Sequence, residues 1–584
     1  MNSPKRIIEP YPRQRKVAFD KDRIIFLLAF ALLCFCCLFA DGLPVLDSHI
    51  RSKWFGMLFC SAMLGSSIPF FHKIQTCTFR LSDLVFSALV LYIAVRSVER
   101  GSPMYGLQML SIVLLYLSFR AVGQCYIKEL FAVISAFTVL LTLWGICQSV
   151  HILPGSNHGF SAIGNFDNPA GYASALAIGF PTIVYLWKNK NKGWRAAGYI
   201  SALLVVLAIV LSKSRAGIVS VSLVLLSSFI FGVKNKSRWW KAILACTFFL
   251  VIVVFLYFLK RDSADGRLLI WMVSLRLISK FLFFGGGTGV FGAMYMPEQA
   301  NYFRFHPDSR YAMLADNIGH PLNEYLSIVV QWGLIGLVLV FLLIYLIFKA
   351  WLKNRSKETD TLFLILLSLA SFSCFSYPLS YPFGWVMLTL CLALLGKLSN
   401  HIITHGKYFC LTSLISLPVF LLFFSFWQYH AFHEWYKLSR HRPAVPMCDL
   451  QKQYEKISFP LSRQPQFLYN YSAEFYFHNF NQEALEKARQ SQQLHDDYEM
   501  EHLIADIQKA MNQNDEARDS YLMMSMMCPN RFIPIYKLFE LDAEEGNTEE
   551  ALSLANIIMK KTVKVPSPQI DFIQKKCFNY IINH

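Results

Sequence analysis

The chain has 584 residues, 55% of them hydrophobic and only 16% charged, with a formal net charge of +17 and a mean hydropathy of +0.38. Soluble domains carry about a quarter charged residues, so the composition excludes a wholly soluble protein and predicts an all-α polytopic membrane protein. Much of the positive charge falls in short loops between apolar runs, where it sets topology and meets anionic lipid headgroups; no nucleic-acid partner is expected.

A basic tail, residues 1–23, comes first. Apolar runs long enough to cross ~30 Å of hydrocarbon follow near 24–40, 54–71, 82–97, 105–121, 129–149, 171–187, 196–212, 216–233, 241–259, 324–348, 361–377, 383–397 and 408–427. About 12–13 transmembrane helices are therefore expected, in a membrane domain over 24–428. Lys and Arg concentrate in alternate loops, such as KNKNKGWR from Lys188 and KAWLKNRSK from Lys349, whereas the loop from His151 to Gly171 has neither. The positive-inside rule then puts the N-terminus in the cytoplasm, and the long loop 260–323 and everything after the last span in the periplasm of a bacterial inner membrane. The first run reads as a signal anchor, lacking a convincing cleavage site. Most of the 14 cysteines lie in apolar runs and read as small hydrophobes. No C-x-x-C pair points to a metal or redox centre, and neither metal nor cofactor is expected.

Four polar segments fall on the outer side in this topology. GNFDNPAGYASAL (from Gly164) places Asn165 and Asn168 where side-chain amides meet a sugar or phosphate, or else forms a turn with Pro169 opening a helix. SKSRAG (from Ser212) joins two spans by a tight turn and carries Arg215, a guanidinium suited to bidentate phosphate binding or to snorkelling. DSADGRLLIW (from Asp262) reads as an amphipathic surface helix with Arg267 and Trp271 on one face. The GGGTG that follows allows a tight reversal; it is not a nucleotide-binding loop, because no Gly-Lys-Ser/Thr comes after it. HPLNEYL (from His320) precedes a span and offers a general base in His320, with Asn323 and Glu324 within one turn. Cationic side chains, a histidine and an Asn-rich turn at span ends on one face suit a reaction that holds a pyrophosphate while a hydroxyl attacks.

From about Tyr429 the composition turns to mixed charge with helical periodicity. Ala484, Ala517 and Ala551, in FNQEALEKA, QNDEARDSY and GNTEEALSLA, are spaced by 33 and 34 residues. That is the tetratricopeptide period. A soluble α-helical repeat domain is expected over 429–584, after a linker around His441 to Met447; an unrelated helical bundle is the other reading.

The order GNFDNPAGYA, SKSRAG, GRLLIW, GGGTGVF and HPLNEYLSIVVQWGLIGL over about Gly164 to Leu339 resembles the O-antigen ligase superfamily of Wzy_C type, which includes ligases, related polymerases and bacterial protein O-oligosaccharyltransferases. The resemblance implies an inner-membrane enzyme moving a glycan from undecaprenyl pyrophosphate to an acceptor hydroxyl without metal or nucleotide. It implies donor-pyrophosphate binding by Arg215 and Arg267 and a base or acceptor-orienting role for His320. Asn165, Asn168, Asn323, Glu324 and Trp271 stand as substrate-binding candidates. Family members commonly have His-Asn directly, whereas Pro321 and Leu322 intervene here. The implied acceptor is lipid A core, with a protein or a growing glycan as alternatives, and the repeat domain is expected to dock an acceptor or a protein partner. A transporter for lipid-linked glycans is the alternative of another class.

Overall fold

A computed structural model describes residues 21–71, 78–154, 160–232, scattered positions from 240 to 258, and 261–399, 402–440 and 446–584. The expected span at 241–259, much of the basic tail and most of the linker at 441–447 lie outside the described residues.

Helices occupy the other twelve expected positions. In chain order they are α1 (Lys21–Phe39), α2 (Ser48–Phe71), α3 (Leu81–Arg96), α4 (Pro103–Val122), α5 (Ile127–Ser149), α6 (Pro169–Trp187), α7 (Lys192–Leu211) and α8 (Arg215–Gly232). After α9 (Arg261–Lys280) and α10 (Val290–Phe305), which are polar enough to lie outside the spans, come α11 (Glu324–Lys353), α12 (Lys357–Ser373), α13 (Pro382–Gly396) and α14 (Lys407–Leu438). By length and composition, six stretches among the described residues are able to cross a membrane: Asp22–Phe39, Pro103–Ser149, Pro169–Trp187, Lys192–Leu211, Glu324–Lys353 and Lys407–Leu438. Arg215–Phe231 and Pro382–Gly396 are shorter apolar helices. The end of the bundle at which α2, α4, α6, α8, α11 and α13 begin is called the upper end below.

Lipid tails are as apolar as leucine, so helix association here rests on close packing and buried hydroxyls. Ser135 bonds Thr182 at 2.8 Å between α5 and α6. Ser368 of α12 meets Ser220 of α8 at 2.8 Å and donates to the Ala177 carbonyl of α6 at 2.6 Å. At the lower end Asp83 of α3 accepts both Arg120 Nε at 2.8 Å and the Tyr116 hydroxyl at 2.5 Å from α4. Beside this pair Thr78–Arg80 and Ile402–His405 form a two-stranded antiparallel ribbon. That ribbon is a small departure from an all-α chain: two short loops outside the apolar layer satisfy their main-chain groups by pairing with each other.

The glycine-rich segment after α9 does more than reverse the chain. Helix α11 is broken at Gly333, which has φ +63°, and residues 282–287 thread into the break. Leu334 and Ile335 donate to the carbonyls of Leu282 and Phe283, while Gly286 and Gly287 donate to those of Val330 and Gln331. The contact is so close that a Cβ on Gly285 (φ +70°) would stand 2.3 Å from the Gln331 carbonyl oxygen, and one on Gly333 2.3 Å from that of Phe283. Arg96 at the end of α3 fastens the segment by donating to the Gly285 carbonyl at 2.6 Å.

Helix α14 runs 32 residues without interruption, so the composition change at Tyr429 falls inside it. Beyond it come α15 (Met447–Leu461), α16 (Pro465–Phe477), α17 (Asn481–Gln492), α18 (Tyr498–Ala510), α19 (Asn514–Met527), α20 (Ile533–Glu545), α21 (Thr548–Lys560) and α22 (Pro568–Asn583). The pairs α16–α17, α18–α19 and α20–α21 are the three repeats, and Ala484, Ala517 and Ala551 are each fully buried where the hairpins close. Each repeat turns on one residue of left-handed backbone, Asn479, Asn512 and Gly546, the residue types that tolerate it best. Trp435 of α14 is buried with Leu450, Tyr454 and Phe467, so the bundle core runs on into the first repeat. A second core joins α9 and α10 to α18–α20, with Tyr295, Tyr498, Tyr521 and Met524 all but completely enclosed.

Candidate active site

Five chain segments converge at the upper end. Asn168 caps α6, its Oδ1 accepting from Gly171 N at 2.9 Å. Its Nδ2 faces Asp167 Oδ2 at 2.8 Å and the hydroxyls of Tyr377 and Tyr381 at 3.1 and 2.9 Å. The Tyr381 hydroxyl donates to Asp167 Oδ1 at 2.8 Å. Asn165 is buried, with Nδ2 on the Phe39 carbonyl at 2.8 Å. Its own carbonyl accepts from Lys53, an ammonium with no exposed surface that also donates to the carbonyls of His49 and Ala40. The ammonium of α2 thus ties together the turn before α6, the end of α1 and the first turn of its own helix.

Arg215 is the first residue of α8, after a turn in which Lys213 takes a positive φ of 56°. Its Nη2 donates to Ser263 Oγ at 2.8 Å, which ties it to the start of α9. Arg267 sits one turn further along α9. Among the described residues Arg267 makes no ion pair, and burial together with the neighbouring Arg215 guanidinium holds it down to about 10. Arg215 and Arg267 bring two positive charges close enough to repel, and guanidiniums so placed suit an anion such as a phosphate. A cavity of about 320 Å³ opens at Arg267, bounded by Asp262, Ser263, Asp316, Leu322 and, from the repeat domain, Lys564.

His320 belongs to the strap between α10 and α11. Its ring stacks on Tyr377, centroids 4.9 Å apart and planes within 14°. The ring is exposed to solvent yet crowded by protein on the other side. That crowding disfavours the imidazolium, His495 of the repeat domain adds repulsion, and Asp167 opposes both; on balance His320 binds its proton more weakly than an ordinary histidine. It is neutral at pH 7 and able to accept a proton. The Tyr377 hydroxyl, which burial and Asp167 push up in pKa, accepts from Asn168, so its own proton points elsewhere.

The residues after His320 act on the backbone. Asn323 caps α11 by accepting from Tyr325 N and Leu326 N at 2.9 and 3.1 Å and donates to the Cys374 carbonyl at 3.1 Å. Glu324 Oε1 accepts from Leu379 N at 2.9 Å, fixing the loop that carries Tyr377 and Tyr381. The structure therefore brings Arg215, Arg267, His320, Asn168, Asn323 and Glu324 to one end of the bundle, but engages the last three, and Asn165, with main chain, and Asn168 also with the side chains of Asp167, Tyr377 and Tyr381. Trp271 packs into the apolar core of α9 and α10. The sequence reading passed over Asp167, Tyr377, Tyr381 and Lys53. The repetition Tyr-Pro at 377–378 and 381–382 was the available signal.

No curated protein matches the chain. Among solved structures, the crystal structure of the APC/C hetero-tetramer Cut9-Hcn1 aligns with 90% of this chain and 85% of that one at 9% identity and a TM-score of 0.20, a likeness too weak to carry an argument. A family model described as O-antigen ligase, Wzy_C, matches residues 200–341. That segment runs from within α7 through Arg215, Arg267 and His320 into α11, and its likeness to the O-antigen ligase family gives this membrane protein a function of the ligase or polymerase type.

Proposed function

We propose that the protein transfers a glycan from undecaprenyl pyrophosphate to an acceptor hydroxyl at the periplasmic face of the inner membrane, as a metal-independent inverting glycosyltransferase of the O-antigen ligase type. The observation that carries this reading is Arg215, the first residue of α8 and bonded to Ser263 of α9, with Arg267 further along α9 and close enough for the two charges to repel, at the same end of the bundle as His320. A pyrophosphate is a fitting partner for two guanidiniums, and its charge grows as the glycosyl bond breaks.

In the reaction, His320 takes the proton of the acceptor hydroxyl as that oxygen attacks the anomeric carbon from the face opposite the pyrophosphate. The bond from the anomeric carbon to the phosphate oxygen breaks, undecaprenyl pyrophosphate leaves with the bonding pair, and the configuration inverts. Arg215 and Arg267 take up the charge on the leaving group. Stacking on Tyr377 aims the imidazole, while Asn168, Asn165, Asn323 and Glu324 hold the backbone around it. A single displacement needs no enzyme nucleophile.

The lipid A core is the proposed acceptor; a second lipid-linked glycan would make the protein a polymerase, and a protein hydroxyl an oligosaccharyltransferase. The test is transfer from purified undecaprenyl-pyrophosphate glycan to each acceptor in turn, with EDTA present. Product on lipid A core with inverted linkage supports the reading, and absence of transfer to all three overturns it.

A further inference from the structure

The strap that carries His320 is fastened mainly to the repeat domain. Asn530, in the turn between α19 and α20, donates through Nδ2 to the carbonyls of both Met313 and Ala315, at 3.2 and 2.8 Å. Next to it Arg531 reaches Asp316 Oδ1 at 3.4 Å. The amide of Gln299 from α10 bridges the two parts, donating to the Asp316 carbonyl at 3.1 Å and to the Met527 carbonyl at 2.7 Å. Asn317 donates to Asp497, the cap of α18, at 3.0 Å. Groups of Met313, Ala315, Asp316 and Asn317 are thus held by one face of the repeat array, ending three residues before His320.

The same face is closed from below. Helix α10 lies against α19, and Tyr295 and Met296 are enclosed there with Tyr521, Met524 and Met527. The main-chain N–H of Asp496 donates to the Gly292 carbonyl at 3.0 Å. This surface of the repeats is therefore occupied by the chain's own segment from α10 to the strap.

We propose that the repeat domain is a built-in clamp of the catalytic strap, with Asn530 as a positioning residue for His320; the proposal rests on the role given to His320 above. A free strap would let the imidazole wander from the acceptor oxygen, and misplacement of a reacting group by ~1 Å costs on the order of 10²-fold in rate. In the proposed reaction the donor's phosphate groups are held by the side chains of Arg215 and Arg267 on α8 and α9, although the strap residues Asp316 and Leu322 border the same cavity.

The test uses the purified full-length protein. Asn530→Ala and, as a second variant outside the repeat domain, Asn317→Ala are compared with wild type and with His320→Ala for kcat, donor KM and melting temperature in detergent. The expected result is a fall in kcat of ~10- to 100-fold in Asn530→Ala, a smaller fall in Asn317→Ala, and a donor KM within about threefold of wild type in both. Should Asn530→Ala fail to fold, Asn317→Ala carries the same kcat-against-KM test. Wild-type kcat in the folded variants while His320→Ala is inactive overturns the clamp and leaves the proposed reaction standing. Wild-type activity in His320→Ala removes the catalytic reading and the clamp with it.

Discussion

Replacing Arg267 by glutamine tests the anion site where its energetics are clearest. Burial and the neighbouring Arg215 bring the guanidinium two to three pKa units below its ordinary value, to about 10. At 1.36 kcal/mol per pKa unit, this corresponds to about 3 kcal/mol of desolvation and repulsion borne by the cation in the free enzyme. A bound pyrophosphate relieves that burden, most of all when the glycosyl bond is breaking. Losing one preorganised group of this kind typically costs 10²–10³ in kcat, about 2.7–4 kcal/mol, a range that brackets the same figure. The expected outcome of Arg267→Gln is thus a kcat lower by ~10²–10³ in the detergent transfer assay. The melting temperature of the free enzyme stays level or rises, because a strained cation has gone. Activity within about threefold of wild type would refute the argument, and a large drop in melting temperature would show that Arg267 holds the fold instead.

Two further outcomes follow from the geometry. His320 is less basic than an ordinary histidine, and only its neutral form accepts a proton; kcat/KM is expected to be flat through neutrality and to fall only below about pH 6.5, whereas an acid limb centred above pH 7 would contradict this. Gly333→Ala places a side chain at φ +63°, 2.3 Å from the Phe283 carbonyl. With ψ at −166° this is a backbone region essentially open to glycine alone, costing on the order of 1–3 kcal/mol for another residue, so a melting temperature lower by several degrees is expected, and an unchanged one would mean that the break in α11 relaxes freely.

Apolar length alone located α1 to α8 and α11 to α14, because a span must be long and apolar to satisfy its backbone in lipid. Their polar ends named Arg215, Arg267 and His320, since charge at a span end is costly enough to be noticed. Tyr377 and Tyr381 escaped because an interfacial tyrosine is ordinary, and only the fold reveals that residues so far along the chain close on His320 and Asn168. The asparagines were legible as turn residues or as ligands; the hydrogen bonds of Asn168 and Asn323 favour the former. Periodicity found the repeats through Ala484, Ala517 and Ala551, but periodicity describes how repeats stack on each other. What covers their other face depends on Gln299, Asn530 and Asp497, single polar residues with no pattern of their own.

The account stands or falls on one experiment: transfer from purified undecaprenyl-pyrophosphate glycan to lipid A core in detergent without added metal, comparing wild type with His320→Ala and Arg215→Ala. The account predicts robust transfer by wild type and loss in both variants with their melting temperatures retained. Full activity in both variants would contradict it.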